Sequence, residues 1–306
     1  MNILITGASG FMGKTLSSSL ANDENKLVLL NSRSADLTKD TTLLNYNDLK
    51  YDFIYHLAAW TQAGDFCLHH QGEQWIINQQ INTNTLAWWQ KYQSQAKMIA
   101  FGTSVSYATE DNLSEEVYMA GIPNEKFYSY AMSKRMLYSG LISLNRQFGM
   151  KYLYLIPSTL YGPGYHTDGR QMHFIFDLIR KIIRGKEYGE KVELWGDGYQ
   201  RREIVFIDDF INMLLSLSAT IDNDIVNIGA GEDYNIREFA SKICEIIGYD
   251  FSSISFDTTK YVGAKSKCLN VDKLKRILPD HKMSSLGQGL KKTIEWFYKE
   301  KVYDLK

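Results

Sequence analysis

Cysteine is scarce: Cys67, Cys244 and Cys268 are the three that 306 residues contain. They are far apart, odd in number and outside any Cys-x-x-Cys pair, which speaks against a disulfide framework and a zinc site. Such usage fits a reducing cytoplasm. An excess of either charge is also missing. The net charge of −1 gives no support for a nucleic-acid-coating or other polyanion-binding protein. No apolar run approaches the ~18 residues of a membrane span. The first residues enter a strand at once, without a basic or cleavable apolar segment, so a cytoplasmic chain is expected. The six histidines are scattered, and only His69-His70 adjoin. An inert loop pair explains them better than a metal site, and no metal is expected. Internal repeats and low-complexity linkers are absent. What is left is ordinary globular composition, 44% hydrophobic and 23% charged. A chain this long exceeds one small core, so a large α/β domain with an appended lobe is expected.

Against these absences stands a sequence of strand, glycine turn and helix at the start. Asn2 to Thr6 reads as a buried strand, and a helical pattern runs to about Asn22. Gly7, Gly10 and Gly13 lie between them, with Ser9, Phe11 and Met12 in the same turn. Glycines at this spacing allow a tight turn and let a pyrophosphate approach the helix N-terminus, where amides and the helix dipole hold the anion. A rival reading is a relaxed NTPase phosphate loop over Ala8 to Thr15, with Lys14 on phosphates and Thr15 on magnesium. It starts on Ala rather than Gly and lacks a convincing strand-end Asp for the metal.

The second strand, Lys26 to Leu30, ends at Asn31-Ser32-Arg33-Ser34. A dinucleotide fold reads the adenosine ribose at this point: an acidic residue suits a 2′-hydroxyl, an Arg suits a 2′-phosphate. Arg33 favours NADP(H), with NAD(H) left open; Asp36 caps a turn or lies beside the adenine. Tyr51 to His56 is the third strand, running into Leu57-Ala58-Ala59, where small residues let a cofactor pass close to the backbone. A long helix from about Glu73 to Tyr92 carries Asn78. Lys97 to Phe101 is the fourth strand and leads to Gly102-Thr103-Ser104. A helix from Tyr128 to Phe148 precedes a fifth strand, Lys151 to Ile156, that meets Pro157. Strands alternating with helices predict a Rossmann-type, doubly wound parallel sheet, with ligands outside the carboxyl ends of its strands.

Tyr130 and Lys134 sit on one face of the Tyr128 to Phe148 helix, four residues apart. A neutral phenol is a poor acid at pH 7. A lysine ammonium beside it favours the phenolate and lowers that pKa, which would suit the phenol to protonate an alkoxide or deprotonate an alcohol.

Beyond Pro157 the pattern changes. Residues 1–160 read as the dinucleotide-binding domain, to which later segments return, and residues 161–306 as mainly a smaller α/β substrate lobe. In that lobe, Tyr161-Gly162-Pro163-Gly164 is a turn and His173 to Arg184 a helix. Val192 to Trp195 is a short strand before the Gly196-Asp197-Gly198 turn. Ile204 to Ile207 leads into a helix near Asp208-Asp209. Ile225 to Ile228, a helix from Ile236 to Ile247 and one from Leu286 to Tyr298 follow.

The order of these pieces (glycine turn, Thr103, Tyr130-x-x-x-Lys134, Tyr161-Gly162-Pro163) resembles the extended short-chain dehydrogenase/reductase superfamily over essentially the whole chain. Within it the chain looks most like the GDP-L-fucose synthase type of reductase. Phe101 to Tyr107, Ile156 to Pro163, Leu194 to Glu203, Phe206 to Phe210 and Val226 to Gly231 carry that likeness. The resemblance implies that Thr103 hydrogen-bonds the reacting oxygen, Tyr130 is the acid/base, and Lys134 lowers its pKa and holds the nicotinamide ribose. It further implies that Asn78 supports the cofactor side. Trp195, Arg202 and Lys181 fall at substrate-lobe positions, Arg202 being suited to bidentate phosphate pairing. Ser104 and Val105 fall beside the sugar, and Lys267, with Lys260 and Lys265, in a basic loop open to a diphosphate.

The departures narrow this further. The fucose synthase type moves protons at carbons 3 and 5 with a Cys and a His. The His falls on His173, either a substrate contact or a structural residue, and the Cys position is Val105, which has no proton to exchange. Hydride transfer without epimerisation is therefore expected. Thr159 stands in place of an Asn and Val262 in place of an acidic residue, which leaves the base and the sugar open. The leading expectation is NADPH-dependent carbon-4 reduction of a GDP-linked 4-keto sugar. Its alternatives are a dehydrogenase or 4-epimerase with tightly held NAD and a non-catalytic dinucleotide sensor. A homodimer through the two long helices is expected from their aromatics, Trp75, Trp88, Trp89, Tyr130 and Tyr138, and from the resemblance.

Overall fold

The computed structural model describes residues 1–108, 113–260 and 265–304. The first half runs β1 (Asn2–Thr6), α1 (Phe11–Leu20), β2 (Lys26–Leu30), β3 (Phe53–His56), α2 (Phe66–His69), α3 (Gln71–Tyr92), β4 (Lys97–Phe101), α4 (Tyr128–Phe148) and β5 (Tyr152–Pro157). It continues through β6 (Thr159–Tyr161), α5 (Phe174–Tyr188), β7 (Glu193–Trp195), β8 (Arg201–Arg202), β9 (Ile204–Phe206), α6 (Ile207–Thr220) and β10 (Asp224–Ile228). The chain ends with β11 (Tyr234–Asn235), α7 (Ile236–Ile247), β12 (Ser255–Asp257), α8 (Asp272–Ile277) and α9 (Leu286–Lys299).

Six strands form one parallel sheet in the order β2-β1-β3-β4-β5-β10. All of β4 is buried, and β5 is buried up to Pro157. Strands covered on both faces read as continuous apolar runs, which is why the sequence marks strands at Lys97 to Phe101 and Lys151 to Ile156, the second shifted by one residue to Tyr152–Pro157 in the fold. The chain leaves β1 toward β2 on one side and β3 continues on the other, so the crevice between the ends of β1 and β3 is the switch point where ligands of such sheets bind. Leu137 and Leu141 of α4 and Phe210 and Leu214 of α6 join the core around the sheet. A second core gathers Ile175, Ile179 and Ile182 of α5, Phe239 and Ile243 of α7, and Leu290, Ile294 and Phe297 of α9. Phe11, in the glycine turn, packs against both.

Helix ends follow local chemistry. Asn235 and Ser285 close capping boxes with Glu238 and Gln288 at the starts of α7 and α9. Gly149, Gly189 and Gly248 stop α4, α5 and α7 in the left-handed region. For that reason α5 runs on from Arg184 to Tyr188: the stop is the glycine, not the polar stretch before it. The strands β6, β8, β11 and β12 pair with β9, β11, β8 and β7 respectively. At two or three residues each they are too short for an alternating pattern to reveal.

Candidate active site

The glycine turn is built by contact. Gly7 has φ +69°, and a Cβ there would meet the Ala58 nitrogen at 2.9 Å and the Leu57 carbonyl carbon at 3.0 Å. A Cβ on Gly13 would meet the Gly7 oxygen at 2.4 Å. The first glycine thus lets the turn pass the end of β3, and the third lets α1 seat on the turn. Gly10 and Ser9 are exposed, and Gly10 is an extended N-cap without a side-chain cap or an acidic residue in the first turn of α1. The Ala8 and Gly10 amides are spent on the Leu30 and Gly7 carbonyls at 2.9 and 3.0 Å, and the first amides of α1 are left for an outside anion. Thr15 instead turns its hydroxyl back to the Phe11 carbonyl, 3.2 Å away, so it does not present the metal ligand that an NTPase loop needs.

At the end of β2, Asn31 folds its own loop: its side-chain oxygen accepts from the Arg33 and Ser34 amides at 2.9 and 3.2 Å. Asp36 is engaged by Thr38 at 2.6 Å and Lys39 at 3.5 Å, so it caps a turn. Arg33 is exposed, and its guanidinium has no ion pair or hydrogen bond among the described residues. A free cation therefore stands where the adenosine ribose of a dinucleotide belongs.

A buried polar chain holds the other wall of the crevice. The Ala58 amide donates to the Thr6 hydroxyl at 3.1 Å, Thr6 meets His56 Nδ1 at 2.9 Å, and His56 Nε2 meets the Asn82 side-chain oxygen at 3.1 Å. The amide oxygen accepts, so Nε2 carries the proton and Nδ1 takes the Thr6 hydrogen. Burial and the nearby Lys134 charge push His56 down to about 4, which keeps it neutral. Asn82 donates on to the Ser133 carbonyl at 3.4 Å, beside Lys134. Asn78 accepts from the Trp60 amide at 2.8 Å and donates to the Trp60 carbonyl at 3.0 Å. Leu57, Ala58, Ala59 and Trp60 are pinned from two sides. His56 and Asn82 were missed in the sequence, although a His inside an apolar strand was a usable signal.

Thr103 ends β4. Its hydroxyl oxygen accepts from the Val105 amide at 3.4 Å, which leaves its proton to donate outward. Ser106 donates to the Ala131 carbonyl at 3.2 Å, and Arg135 donates to the Ser106 carbonyl at 2.6 Å. The Thr103–Ser104–Val105 turn is thereby tied to α4 next to Tyr130. A Cβ on Gly102 would strike the Tyr118 hydroxyl at 2.7 Å, so the strand end lies flat on the tyrosines beneath it. The Lys134 ammonium lies 5.8 Å from the centre of the Tyr130 ring.

The electrostatics depart from expectation. Crowding by protein raises the Tyr130 phenol above its ordinary value, with the Cys67 and Tyr118 groups adding and the nearby Thr61 side chain opposing. Lys134, only 5% exposed, is pushed down to about 8 by burial. It has no ion pair or hydrogen bond among the described residues. Desolvation leads both shifts in the free chain, because both groups lose water on folding.

In the second lobe, His173 is the N-cap of α5. Its ring opens to solvent while protein surrounds it on several sides, and this crowding, with the charges of His166 and Lys267, lowers its imidazole pKa. The backbone of Lys265 to Lys267 runs beside Arg201 to Glu203: the Arg201 and Glu203 amides donate to the Lys265 and Lys267 carbonyls at 2.8 and 3.3 Å. Buried Glu203 accepts from the Gly231 and Leu269 amides at 2.8 and 3.0 Å, locking β9 to the loop after β10. Arg202 is half-buried beside it. The Trp195 indole is 57% exposed at the end of β7, with no ring packed on it among the described residues. Lys181 is held within α5 by Asp177 at 3.0 Å. Thr159 begins β6 opposite Ile204, and Pro157 pairs with Ile228. Val262 lies outside the described residues.

The two lobes face each other across this cleft. Tyr165 stacks on Phe176 at 4.0 Å and meets Phe11 of the glycine turn edge-on at 5.2 Å. The Asp65 amide donates to Gln171 at 3.0 Å, and Asp65 pairs with Lys126 at 2.7 Å. His70 stacks on Phe66 at 4.6 Å and pairs with Glu73 at 2.8 Å, so it is engaged within its own loop.

A cradle for a dinucleotide, a hydroxyl–phenol–ammonium set at the sheet edge and a basic second lobe correspond to a described family. The profile of the NAD dependent epimerase/dehydratase family matches residues 3–236. The chain belongs to that family. Among its relatives, GDP-L-colitose synthase of Yersinia pseudotuberculosis is 28% identical, covering 99% of this chain and 100% of its own. A GDP-L-fucose synthetase of Naegleria fowleri bound to NADP superposes with TM-score 0.87 at 22% identity, over 98% of this chain and 94% of its own. A GDP-mannoheptose C4 reductase of Campylobacter jejuni with NADP bound superposes with TM-score 0.84 at 23% identity, over 97% and 98%. These likenesses extend the family fold through the second lobe, beyond the matched profile.

Proposed function

We propose that this epimerase/dehydratase-family chain is an NADPH-dependent reductase of a GDP-linked 4-keto sugar that leaves carbons 3 and 5 untouched. The observation that carries it is the set Thr103, Tyr130 and Lys134 at the sheet edge beside the glycine turn, with Val105 in the thiol position. Residues 1–160, with β10 returning to them, form the dinucleotide half of this reading, and 161–306 form mainly the sugar-nucleotide lobe. GDP-sugar relatives and NADP-bound structural neighbours support the choice of substrate class and cofactor.

The residues present fit the cofactor: the turn has no room for a Cβ at Gly7 or Gly13, the α1 N-terminus is uncapped, and Arg33 is free. When bound, NADPH supplies the hydride. Lys134 would hold the nicotinamide ribose, Leu57 to Ala59 and Pro157 would line the crevice, and Arg33 would meet the 2′-phosphate. Thr103 donates to the ketone oxygen and polarises it, Tyr130 gives that oxygen its proton, and holding both donors in place removes part of the entropic barrier. Trp195 offers a face for a base. Arg202 and Lys267 would take the diphosphate. Ser104, Val105, Thr159, His173 and Lys181 are assigned to the sugar side.

In deuterium oxide, purified protein with NADPH should reduce a GDP-linked 4-keto-6-deoxyhexose to an alcohol without deuterium at carbons 3 and 5, read by mass spectrometry and NMR. Deuterium at either carbon would overturn the loss of epimerisation; lack of turnover across a panel of nucleotide-linked 4-keto sugars would overturn the reductase. Arg33→Ala should weaken NADPH binding about tenfold or more, the scale of one charge-assisted phosphate contact, and leave NADH binding unchanged. Equal effects on both cofactors would remove Arg33 from the phosphate.

The homodimer belongs to this proposal with altered support. Trp88 and Trp89 are core, 3% and 0% exposed, so they supply no interface. Trp75 and Ile76 of α3 and Tyr128, Met136 and Phe148 of α4, at 37%, 58%, 44%, 45% and 49%, remain as the exposed large apolar side chains of this helix pair. No helix among the described residues is long and apolar enough to cross a membrane.

A further inference from the structure

The two donors to the ketone oxygen stand on different elements, Thr103 just past β4 and Tyr130 in the first turn of α4. Their separation is set by what ties the turn to the helix, and Ser106 and Arg135 make those ties. Ser106 is 0% exposed. Its amide donates to the Thr103 carbonyl at 3.1 Å, its hydroxyl donates to the Ala131 carbonyl at 3.2 Å, and its own carbonyl accepts from Arg135 Nη2 at 2.6 Å. Ala131 follows Tyr130 directly, so one residue links Thr103 to the backbone beside the phenol. Arg135, 3% exposed, reaches further. Its Nη2 also donates to the Ala120 carbonyl and its Nη1 to the Gly121 carbonyl, both at 2.7 Å. The chain leaves the site at Ser106 and comes back at Ala120, and one guanidinium clasps both ends of that excursion. The return is close-packed: Gly121 has φ +61°, and a Cβ there would meet the Ala108 Cβ at 2.7 Å. On the other side of Thr103, Gly102 is pressed against Tyr118, from the same excursion, and Tyr154. The Tyr154 hydroxyl in turn donates to the Lys134 carbonyl at 2.7 Å.

We propose that Arg135 is a positioning residue for Thr103: by holding the Ser106 carbonyl together with the returning Ala120–Gly121 turn, it fixes where the Thr103 hydroxyl stands relative to the Tyr130 phenol. This rests on the reading of Thr103 and Tyr130 as the donors to the ketone oxygen. Burying a guanidinium is unfavourable, and this one follows a second buried cation, Lys134, in the sequence. A hydrocarbon side chain would fill the same space without that penalty. What it lacks is the rigid fork of donors that holds three carbonyls from two segments at once. A site with two donors needs such a device, because one ketone oxygen accepts from both only within a narrow spread of positions. A misplacement of ~1 Å can cost on the order of 100-fold in rate. In this role Arg135 acts through the turn and touches neither substrate nor cofactor.

The test uses the purified full chain with saturating NADPH and a GDP-linked 4-keto-6-deoxyhexose, in a double-mutant cycle with Thr103→Val. Arg135→Met keeps an unbranched stem and removes every donor. Alone, it should lower kcat about 10- to 100-fold, with KM and the NADPH fluorescence titration unchanged within about twofold. Thr103→Val alone should lower kcat on the order of 100-fold, the scale of one lost donor to a developing oxyanion. With the Thr103 hydroxyl gone there is nothing left to place, so adding Arg135→Met should cost less than about twofold more. A residue that merely supports the fold would cost the same in both backgrounds. Arg135→Lys, which keeps the charge but not the fork, should lose less and cancel in the same way, and it carries the cycle if Arg135→Met does not fold. A loss of equal size with and without the Thr103 hydroxyl, or no loss at all, would overturn the proposal. Wild-type turnover in Thr103→Val would remove the parent reading itself, whereas a slow Thr103→Val beside a fully additive Arg135 variant would remove Arg135 alone.

Discussion

Replacing Tyr130 by Phe should lower kcat by about two to four orders of magnitude, the scale of a lost general acid. NADPH binding should persist within about twofold, because the anion cradle is made by the Gly7 to Gly13 turn and not by the phenol. The ring stays half-buried on α4 and loses only its oxygen, so thermal stability should hardly change. Stopped-flow measurement of the first turnover separates this from slow product release: the defect should lie in the hydride-transfer phase. Wild-type turnover in Tyr130→Phe would sink the reductase assignment. A variant that lost cofactor binding together with turnover would place Tyr130 in the cradle instead of at the reacting oxygen.

The fold was legible wherever steric or solvent demands act on neighbouring residues. The glycine spacing was readable because Gly7 and Gly13 each exclude a Cβ by direct contact with backbone. The bounds of α4 were readable because an apolar helical pattern runs into Gly149, which takes a left-handed φ. Other features were hidden because they join segments far apart in the chain. Gln171 closes on Asp65 across 106 positions and Asn227 accepts from Tyr107 across 120, and such contacts leave no periodic trace. The direction of the Tyr130 shift was hidden for a related reason: spacing puts a lysine near a phenol but says nothing of how much water both have lost. Trp88 and Trp89 show the same limit from the other side. They looked like surplus aromatics on a helix, yet their indoles donate to Asn47 and to the Ala96 carbonyl at 2.6 and 2.9 Å inside the core.

Lys134→Met should stabilise the cofactor-free protein while abolishing turnover. The lysine is 5% exposed, unpaired among the described residues, and holds its proton only below about pH 8. In the unfolded chain the same group titrates at 10.5. Below pH 8 both states are charged and folding bears the full desolvation cost, on the order of 3 kcal/mol. Between pH 8 and 10.5 the unfolded state binds more protons, so wild-type stability gains as pH rises and the cost fades. Methionine, of similar length and uncharged, avoids the cost at every pH. Denaturant melts should therefore show the variant ahead of wild type at pH 7, with the gap closing toward pH 10. Above that, Tyr130 acts in the opposite sense, since its raised phenol pKa favours folding less once the unfolded tyrosine ionises. Saturating NADPH should reverse the ranking, because a ribose that satisfies the ammonium stabilises the lysine form alone. Equal melting of wild type and variant at pH 7 without cofactor would show that the cleft already hydrates Lys134. A gain that persisted undiminished with NADPH bound would deny the lysine its place on the ribose. A stability cost that only a bound cofactor relieves ties Lys134 to function more firmly than its distance to Tyr130 does.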